Sequence, residues 1–351
     1  MPPGEPVVEE TINGTALRHV RIAFRGGTRV AALKLEEQGP TGSVKDRTAA
    51  GLLRRLHQDR PLVPGTVVVE STSGNLGLAL ARILRSLGCS FVAVVDPKTP
   101  HSTRSALLEG GARLIVVDEP DGRGGYLLHR LDTVRRLCAR NPGHRWPNQY
   151  ENWANPQIHT STTGPEIAEQ AGTALSAVYV PVSTGGTFAG VAAYMAAARP
   201  RVACVAVDVT GSAAMTGGRT GRRLIPGIGA GRRSSFLPAA GTFRRRLVDD
   251  VEAIAVCRIL RADLGLALGG SSGCTVRALL ADLAAERATG TLAGRPGGLP
   301  VCLAADGGAK YADTLYSDRW AAEQGIAAEL GRAIRLLRGQ GLAFSNAPDY
   351  P

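Results

Sequence analysis

Gly39-Pro40-Thr41-Gly42-Ser43-Val44-Lys45-Asp46-Arg47 is a small-residue turn that runs into a lysine. Lysine is scarce here: of 41 lysines and arginines, only Lys34, Lys45, Lys98 and Lys310 are lysine. Arginine keeps its proton near neutral pH, whereas a desolvated lysine can lose one and present a free amine as nucleophile or base. A helix is expected from Asp46 to Leu56, and its positively polarised N-terminus lowers the cost of deprotonating Lys45. The competing reading is a surface lysine after a loop, and the rest of the chain decides between them.

Outward from this turn, apolar runs alternate with helical patterns. Strands are expected at Ala16–Phe24, Thr28–Leu35, Thr66–Glu70, Phe91–Asp96, Arg113–Asp118, Ala177–Pro181, Val202–Val209, Val251–Val256 and Val301–Ala305. Helices are expected after Gly77 to about Leu87, at His101–Gly110 and Gly125–Arg140, after Thr187 to about Ala198, at Cys257–Leu266, after Gly273, and in the tail between Ala321 and Arg338. This alternation predicts an α/β fold with two open sheets rich in parallel strands.

Three loops of small residues each follow an apolar run and precede a helix, where backbone N–H groups and the helix dipole converge on an anion. Ser183-Thr184-Gly185-Gly186-Thr187 suits a phosphate. Ser71-Thr72-Ser73-Gly74-Asn75-Leu76-Gly77 suits a carboxylate, with Asn75 free for a directed hydrogen bond. Gly269-Gly270-Ser271-Ser272-Gly273 offers Ser271 as a neutral partner for a heterocycle. None is a P-loop or a dinucleotide fingerprint, which disfavours nucleotides.

The 351 residues, 44% hydrophobic and with 44 glycines, allow about two domains or one large α/β unit. Six scattered cysteines without a CxxC pair indicate neither a metal site nor a disulfide framework. A net charge of +11 with only 5% aromatic residues, its arginines spread as short clusters, reads as a solvated surface rather than a nucleic-acid interface. With no membrane span and no signal-like N-terminus, the expected compartment is the cytoplasm.

Together these motifs resemble the fold-type II pyridoxal-phosphate enzymes of the cysteine synthase family, from about Lys34 to Trp320. The resemblance implies a tryptophan synthase β-like α/β fold of two open twisted sheets flanked by helices. It also implies a large cofactor-phosphate domain (1–38 and 150–351) and a small mobile domain (39–149) carrying the substrate carboxylate loop. Lys45 matches the lysine that carries pyridoxal 5′-phosphate as a Schiff base, and Ser183, Thr184, Gly185, Gly186 and Thr187 match the phosphate loop. Ser271 matches the serine facing the pyridine nitrogen, and Asn75 the residue bonding the 3′ oxygen. Thr72, Ser73, Gly74 and Gln149 match groups that hold the substrate carboxylate, and Gly229 belongs to a loop like the family's active-site glycine loop.

Within the family, the chain is most similar to the subgroup that makes N-(2-amino-2-carboxyethyl)-L-glutamate, a 2,3-diaminopropionate precursor. Glu70–Gly77, Val95–Lys98, Glu119–Asp121 with Gly124–Leu127, Asn148–Tyr150, Pro181–Thr184, Pro226–Ala230 and Tyr316–Asp318 carry this likeness. Cysteine synthases have Phe at Tyr150 and Gly at Ser183; the added hydroxyls suit a more anionic substrate such as O-phosphoserine. Arg130 is a candidate clamp for a second carboxylate or a phosphate. Thr15-Ala16-Leu17, Thr184-Gly185-Gly186, Asn155-Pro156 and Thr163–Glu166 depart from the family or subgroup pattern.

The resemblance implies β-replacement on an activated L-serine by an amine, with L-glutamate as nucleophile, small amino acids as the only partners besides a second identical subunit, and no metal. A cysteine synthase using sulfide, a dehydratase and a non-catalytic cofactor-binding subunit remain as rivals. Ser183 and Thr184 as helix caps, Tyr150 as a core aromatic, and Arg130 as a solvated helix residue remain the structural alternatives.

Overall fold

The computed structural model describes residues 14–122, 125–238, 243–289 and 297–348. Gly124 and the ends of the expected large domain (1–13 and 349–351) lie outside the described residues. Strands β1 (Leu17–Phe24), β2 (Gly27–Leu35), β6 (Leu175–Pro181), β7 (Ala203–Val209), β8 (Arg244–Val248), β9 (Leu299–Ala304) and β10 (Ala343–Asn346) form one sheet in the order β10-β1-β2-β9-β6-β7-β8. From β2 to β8 every pairing is parallel; β1 pairs antiparallel with both β2 and β10. A second sheet joins β3 (Val67–Ser71), β4 (Ser90–Val95) and β5 (Ala112–Val116), all parallel.

Alternating side chains serve opposite faces of the large sheet. Tyr179, Val205, Val207 and Cys302 join one apolar cluster, under α8 (Asp250–Leu264), α9 (Gly270–Thr289) and α11 (Ala327–Gly339). Val178, Val180, Ala206 and Val301 join another, under α6 (Thr163–Ala171) and α7 (Gly186–Ala198). The small sheet is buried in the same way, by α1 (Lys45–Asp59), α2 (Asn75–Ser86) and Leu107 of α3 (His101–Glu109) on one face and by α4 (Leu127–Arg140) on the other.

Val251–Val256, expected as a strand, is helical. Asp249 accepts hydrogen bonds from Val251 N at 2.8 Å and Glu252 N at 3.2 Å, a side-chain cap that starts a helix continuous to Leu264. That cap outweighs the β propensity of one valine–isoleucine run. The strand of this region is Arg244–Val248, an edge strand whose arginines are exposed and which shows no apolar alternation. Helices α5 (Ala154–Ser161) and α6 were not expected, nor was β10. A short α10 (Asp318–Glu323) precedes α11, dividing the expected tail helix in two.

The carboxyl ends of β2, β3, β6, β7 and β9 lead into the Lys45 turn, the Thr72 loop, the Ser183 loop, Ser212 and Asp306 respectively. In open α/β sheets this is the edge where ligands bind.

Candidate active site

The Lys45 turn is fixed from both sides. Thr41 donates through N and Oγ1 to the Asp46 carboxylate at 3.0 and 2.8 Å, and Val44 N donates to Ala305 O at 2.8 Å at the end of β9. A Cβ on Gly39 would stand 2.6 Å from Asp46 Oδ2, so only glycine fits beneath that carboxylate. Next in the helix, Arg47 is paired with Glu36 at 2.8 Å and Glu166 at 2.7 Å, and Glu166 also takes the buried Lys34 at 2.5 Å. Lys34 is thus spent on a salt bridge.

Lys45 itself opens α1, half-buried yet deep in the protein. Desolvation lowers its pKa to about 8; the Asp306 carboxylate opposes this and the Lys310 ammonium adds to it. A lysine in that state holds an appreciable fraction of free amine at neutral pH.

Lys45 shares a cavity with Ser183, Thr184, Gly185 and Thr187, closed by Val44, Pro181, Gly227, Leu303 and Ala305. The loop is shaped for close approach. Gly185 has φ +90°, and a Cβ there would lie 2.1 Å from Ser234 Oγ; a Cβ on Gly186 would lie 2.1 Å from Asn155 Oδ1. The first-turn amides of α7 have no intrahelical partner and face the loop's ligand position. Ser234 Oγ donates to Thr184 O at 2.6 Å, and Ser183 Oγ donates to Gly229 O at 3.1 Å, binding the glycine loop to the cradle. A glycine-lined anion cradle opening on the same cavity as a deprotonatable lysine fits a phosphate-bearing aldehyde cofactor. Behind the cradle, buried His159 contacts Thr48 of α1, Thr163 and Thr187 at 3.0, 2.8 and 3.3 Å. Burial holds its pKa well below the ordinary value, so it is neutral.

The other expected residues sit on neighbouring loops. Asn75 Nδ2 donates to Asp306 Oδ2 at 2.8 Å, its Oδ1 accepts from Lys310, and Tyr311 donates to the same carboxylate oxygen at 2.7 Å. Asp306 also accepts a backbone hydrogen bond from Gly269 N at 2.9 Å, and a Cβ on Gly269 would collide with its Oδ1 at 1.8 Å. One buried aspartate therefore joins the Asn75 loop to the Gly269–Gly273 loop, where Ser271 is buried with no hydrogen-bond partner among the described residues. Asp306 was not foreseen; the signal was its place directly after the late strand.

Thr72 Oγ1 accepts from Gly77 N at 2.9 Å, capping its own loop, while Ser73 and Gly74 are partly exposed. Gln149 Nε2 donates to Ser71 O at 2.9 Å. Glu70, fully buried, accepts from Ser71 N, Trp146 Nε1 and Gln149 N at 2.8, 3.2 and 3.1 Å; burial raises its pKa to about 7. Asn155 then donates to Gln149 O at 2.7 Å and to Thr184 Oγ1 at 3.2 Å. Glu70, Gln149 and Asn155 form a continuous polar strut from the Thr72 loop to the Ser183 loop. Tyr150, half-buried beside Gln149, has its pKa raised by desolvation.

Arg130 stands further out, buried on α4 with Nε 3.2 Å from Asp96 Oδ2 and Nη1 without a partner. A wider groove bounded by α8, α9 and α11 contains none of these loops.

The chain belongs to the pyridoxal-phosphate dependent enzymes, a family that matches residues 8–292. Within that class it is a cysteine synthase-like β-replacement enzyme. It is 38% identical over 315 residues, 90% of each protein, to the N-(2-amino-2-carboxyethyl)-L-glutamate synthase of Ralstonia nicotianae. Among solved structures, an O-ureido-L-serine synthase superposes with a TM-score of 0.75 at 28% identity, covering 90% of this chain and 98% of that one. The O-acetylserine-dependent cystathionine β-synthase of Helicobacter pylori gives 0.73 at 26%, covering 87% and 96%. No helix among the described residues is long and apolar enough to cross a membrane.

Proposed function

We propose that this enzyme replaces the phosphate of O-phospho-L-serine with the α-amine of L-glutamate, giving N-(2-amino-2-carboxyethyl)-L-glutamate and inorganic phosphate. The observation that carries the reading is the cavity shared by Lys45 and the Ser183–Thr187 cradle, whose Ser183, Thr184 and Thr187 hydroxyls suit an anionic group. The kinship to the Ralstonia enzyme supports the choice of substrates.

Pyridoxal phosphate, when bound, supplies an electron sink for the bonds at the substrate's Cα. The residues that would hold it are Lys45, the cradle from Ser183 to Thr187, Asn75 and Ser271. A neutral serine at the pyridine nitrogen tempers that sink and favours β-elimination chemistry. Thr72, Ser73 and Gly74, with Gln149, hold the substrate's carboxylate and orient its Cα–H toward Lys45. The Lys45 amine takes the Cα proton; phosphate departs from Cβ with its bonding pair. Glutamate's amine bonds to Cβ in its place, and Lys45 returns the proton to Cα. Asn75, pinned by Asp306 and Lys310, keeps one amide hydrogen for the site. Closure of the small-sheet lobe (39–149) over the large one excludes water during these steps.

The enzyme works in this reading as a cytoplasmic homodimer. Its six cysteines are all free, which suits a reducing compartment, and twofold dimers are the commonest assembly. The test is product analysis: loaded enzyme with O-phosphoserine and an equimolar mixture of L-glutamate and sulfide. A glutamate adduct with stoichiometric phosphate is expected; cysteine as sole product would overturn the choice of nucleophile.

A further inference from the structure

The arginines around the Gly227–Gly231 loop are of two kinds. Arg222 donates to Gln324, Arg232 to Glu151 and Ser235, and Arg233 to Pro238 O. Arg223 is half-buried and makes no hydrogen bond or ion pair with any described residue. Its place is not on the open surface. A Cβ on Gly229 would lie 2.7 Å from Arg223 Nη1, so the guanidinium rests on the glycine loop. Gly229 is bonded in turn to the cradle strand, its N donating to Val182 O at 2.7 Å and its O accepting from Ser183 Oγ at 3.1 Å.

The charge reaches Tyr150. The fields of Arg130, Arg232 and Arg223 all act to lower the Tyr150 pKa against the larger effect of burial. Arg223 also favours the ionised forms of Asp208 and Asp250, which take backbone amides at one oxygen (Val209 N at 2.8 Å, Leu224 N at 2.6 Å) and keep the other unpartnered, yet neither forms an ion pair with Arg223. A guanidinium partly withdrawn from water with no direct acceptor leaves its N–H groups unused until an anion joins it. Arg130 lies on α4 and already has Asp96, whereas Arg223 lies in the loop after β7.

We infer that Arg223 is a specificity residue that binds the side-chain carboxylate of an acidic amine nucleophile. This rests on the β-replacement reading above and names the group that selects the second substrate. The first substrate's carboxylate has its own loop at Thr72–Asn75, so a dicarboxylic amine needs a separate cation. Arg223 is the uncommitted one beside the glycine loop.

The test compares wild type, Arg223→Met, Arg223→Lys and, as a control, Arg222→Met, all cofactor-loaded. L-Glutamate is compared with its neutral isostere L-glutamine as nucleophile, each with O-phosphoserine and with O-acetylserine. Arg223→Met is expected to lower kcat/KM for glutamate about 10- to 100-fold, to leave glutamine and both leaving groups unaffected, and to act through KM. Arg223→Lys recovers part of the loss, and Arg222→Met changes nothing. An equal loss for glutamine, or a loss that follows phosphoserine rather than acetylserine, overturns the assignment. Calorimetric titration of glutarate, which needs no turnover, separates the two levels. Glutarate binding lost in Arg223→Met supports the anion site even where wild type forms no glutamate adduct, a result that would sink only the β-replacement partner. Equal glutarate binding in wild type and Arg223→Met overturns the inference.

Discussion

Gly186→Ala perturbs the cradle without touching Lys45. The new Cβ would lie 2.1 Å from Asn155 Oδ1, 2.3 Å from its Cγ and 2.6 Å from its Nδ2, and Asn155 is only 1% exposed. Overpacking of this kind costs roughly 1–3 kcal/mol. If Asn155 moves aside, its hydrogen bonds to Gln149 O and Thr184 Oγ1 go as well, at about 1 kcal/mol each. A total near 3–5 kcal/mol predicts a fall in Tm of roughly 5–15 °C. Because Asn155 bonds Thr184, cofactor affinity should fall together with stability, read as the apparent Kd from absorbance on titrating apo-protein. Adding Asn155→Ala to Gly186→Ala removes the colliding amide, so the double variant should lose less than the two single variants together. Additive losses, or a silent Gly186→Ala, would refute the idea that Asn155 is packed against the cradle as a strut.

Other perturbations address the remaining groups. With its pKa near 8, about a quarter of Lys45 is free amine at pH 7.5, against roughly one in a thousand for an ordinary lysine. Apo-protein should therefore condense with pyridoxal with a midpoint near pH 8, moved up by Lys310→Met and down by Asp306→Asn; an unchanged midpoint in both removes these residues from the electrostatics of the site. Glu70 has its pKa raised in the folded state, from 4.5 to about 7, so its contribution to stability is full below pH 4.5 and lost as pH rises through 7. The destabilisation by Glu70→Gln should accordingly shrink by about 2.5 kcal/mol from pH 5 to pH 8, measured by urea denaturation; a pH-independent difference would contradict a buried carboxyl with a raised pKa.

Much of this was legible because backbone chemistry leaves local marks. The glycines at 185, 186 and 269 sit where a Cβ would collide with Ser234, Asn155 and Asp306, and such positions show in sequence as small-residue loops after strands. The apolar alternation of β6 and β7 reports directly on two covered faces. What was missed depends on distant partners. Asp306 gains its role from Asn75, Gly269, Lys310 and Tyr311, a meeting that no local pattern encodes. The edge strand Arg244–Val248 is held by backbone pairing to β7 while its arginines stay in water, so it lacks the apolar signal of a strand. The valine–isoleucine run after it was misread because one capping aspartate, Asp249, decides the backbone there. Arg130 reads in sequence as a candidate clamp or a solvated helix arginine, and only the fold shows it buried beside Asp96 with Nη1 unpartnered.

Lys45, and not the neighbouring Lys310, is expected to carry the cofactor. Borohydride reduction of the loaded protein followed by peptide mapping measures this directly, because the pyridoxyl group becomes permanently fixed to the amine that held it. The added mass is expected on the peptide containing Lys45 and none on Lys310, with no labelling in Lys45→Ala. Label on Lys310, or undiminished label in Lys45→Ala, would contradict it.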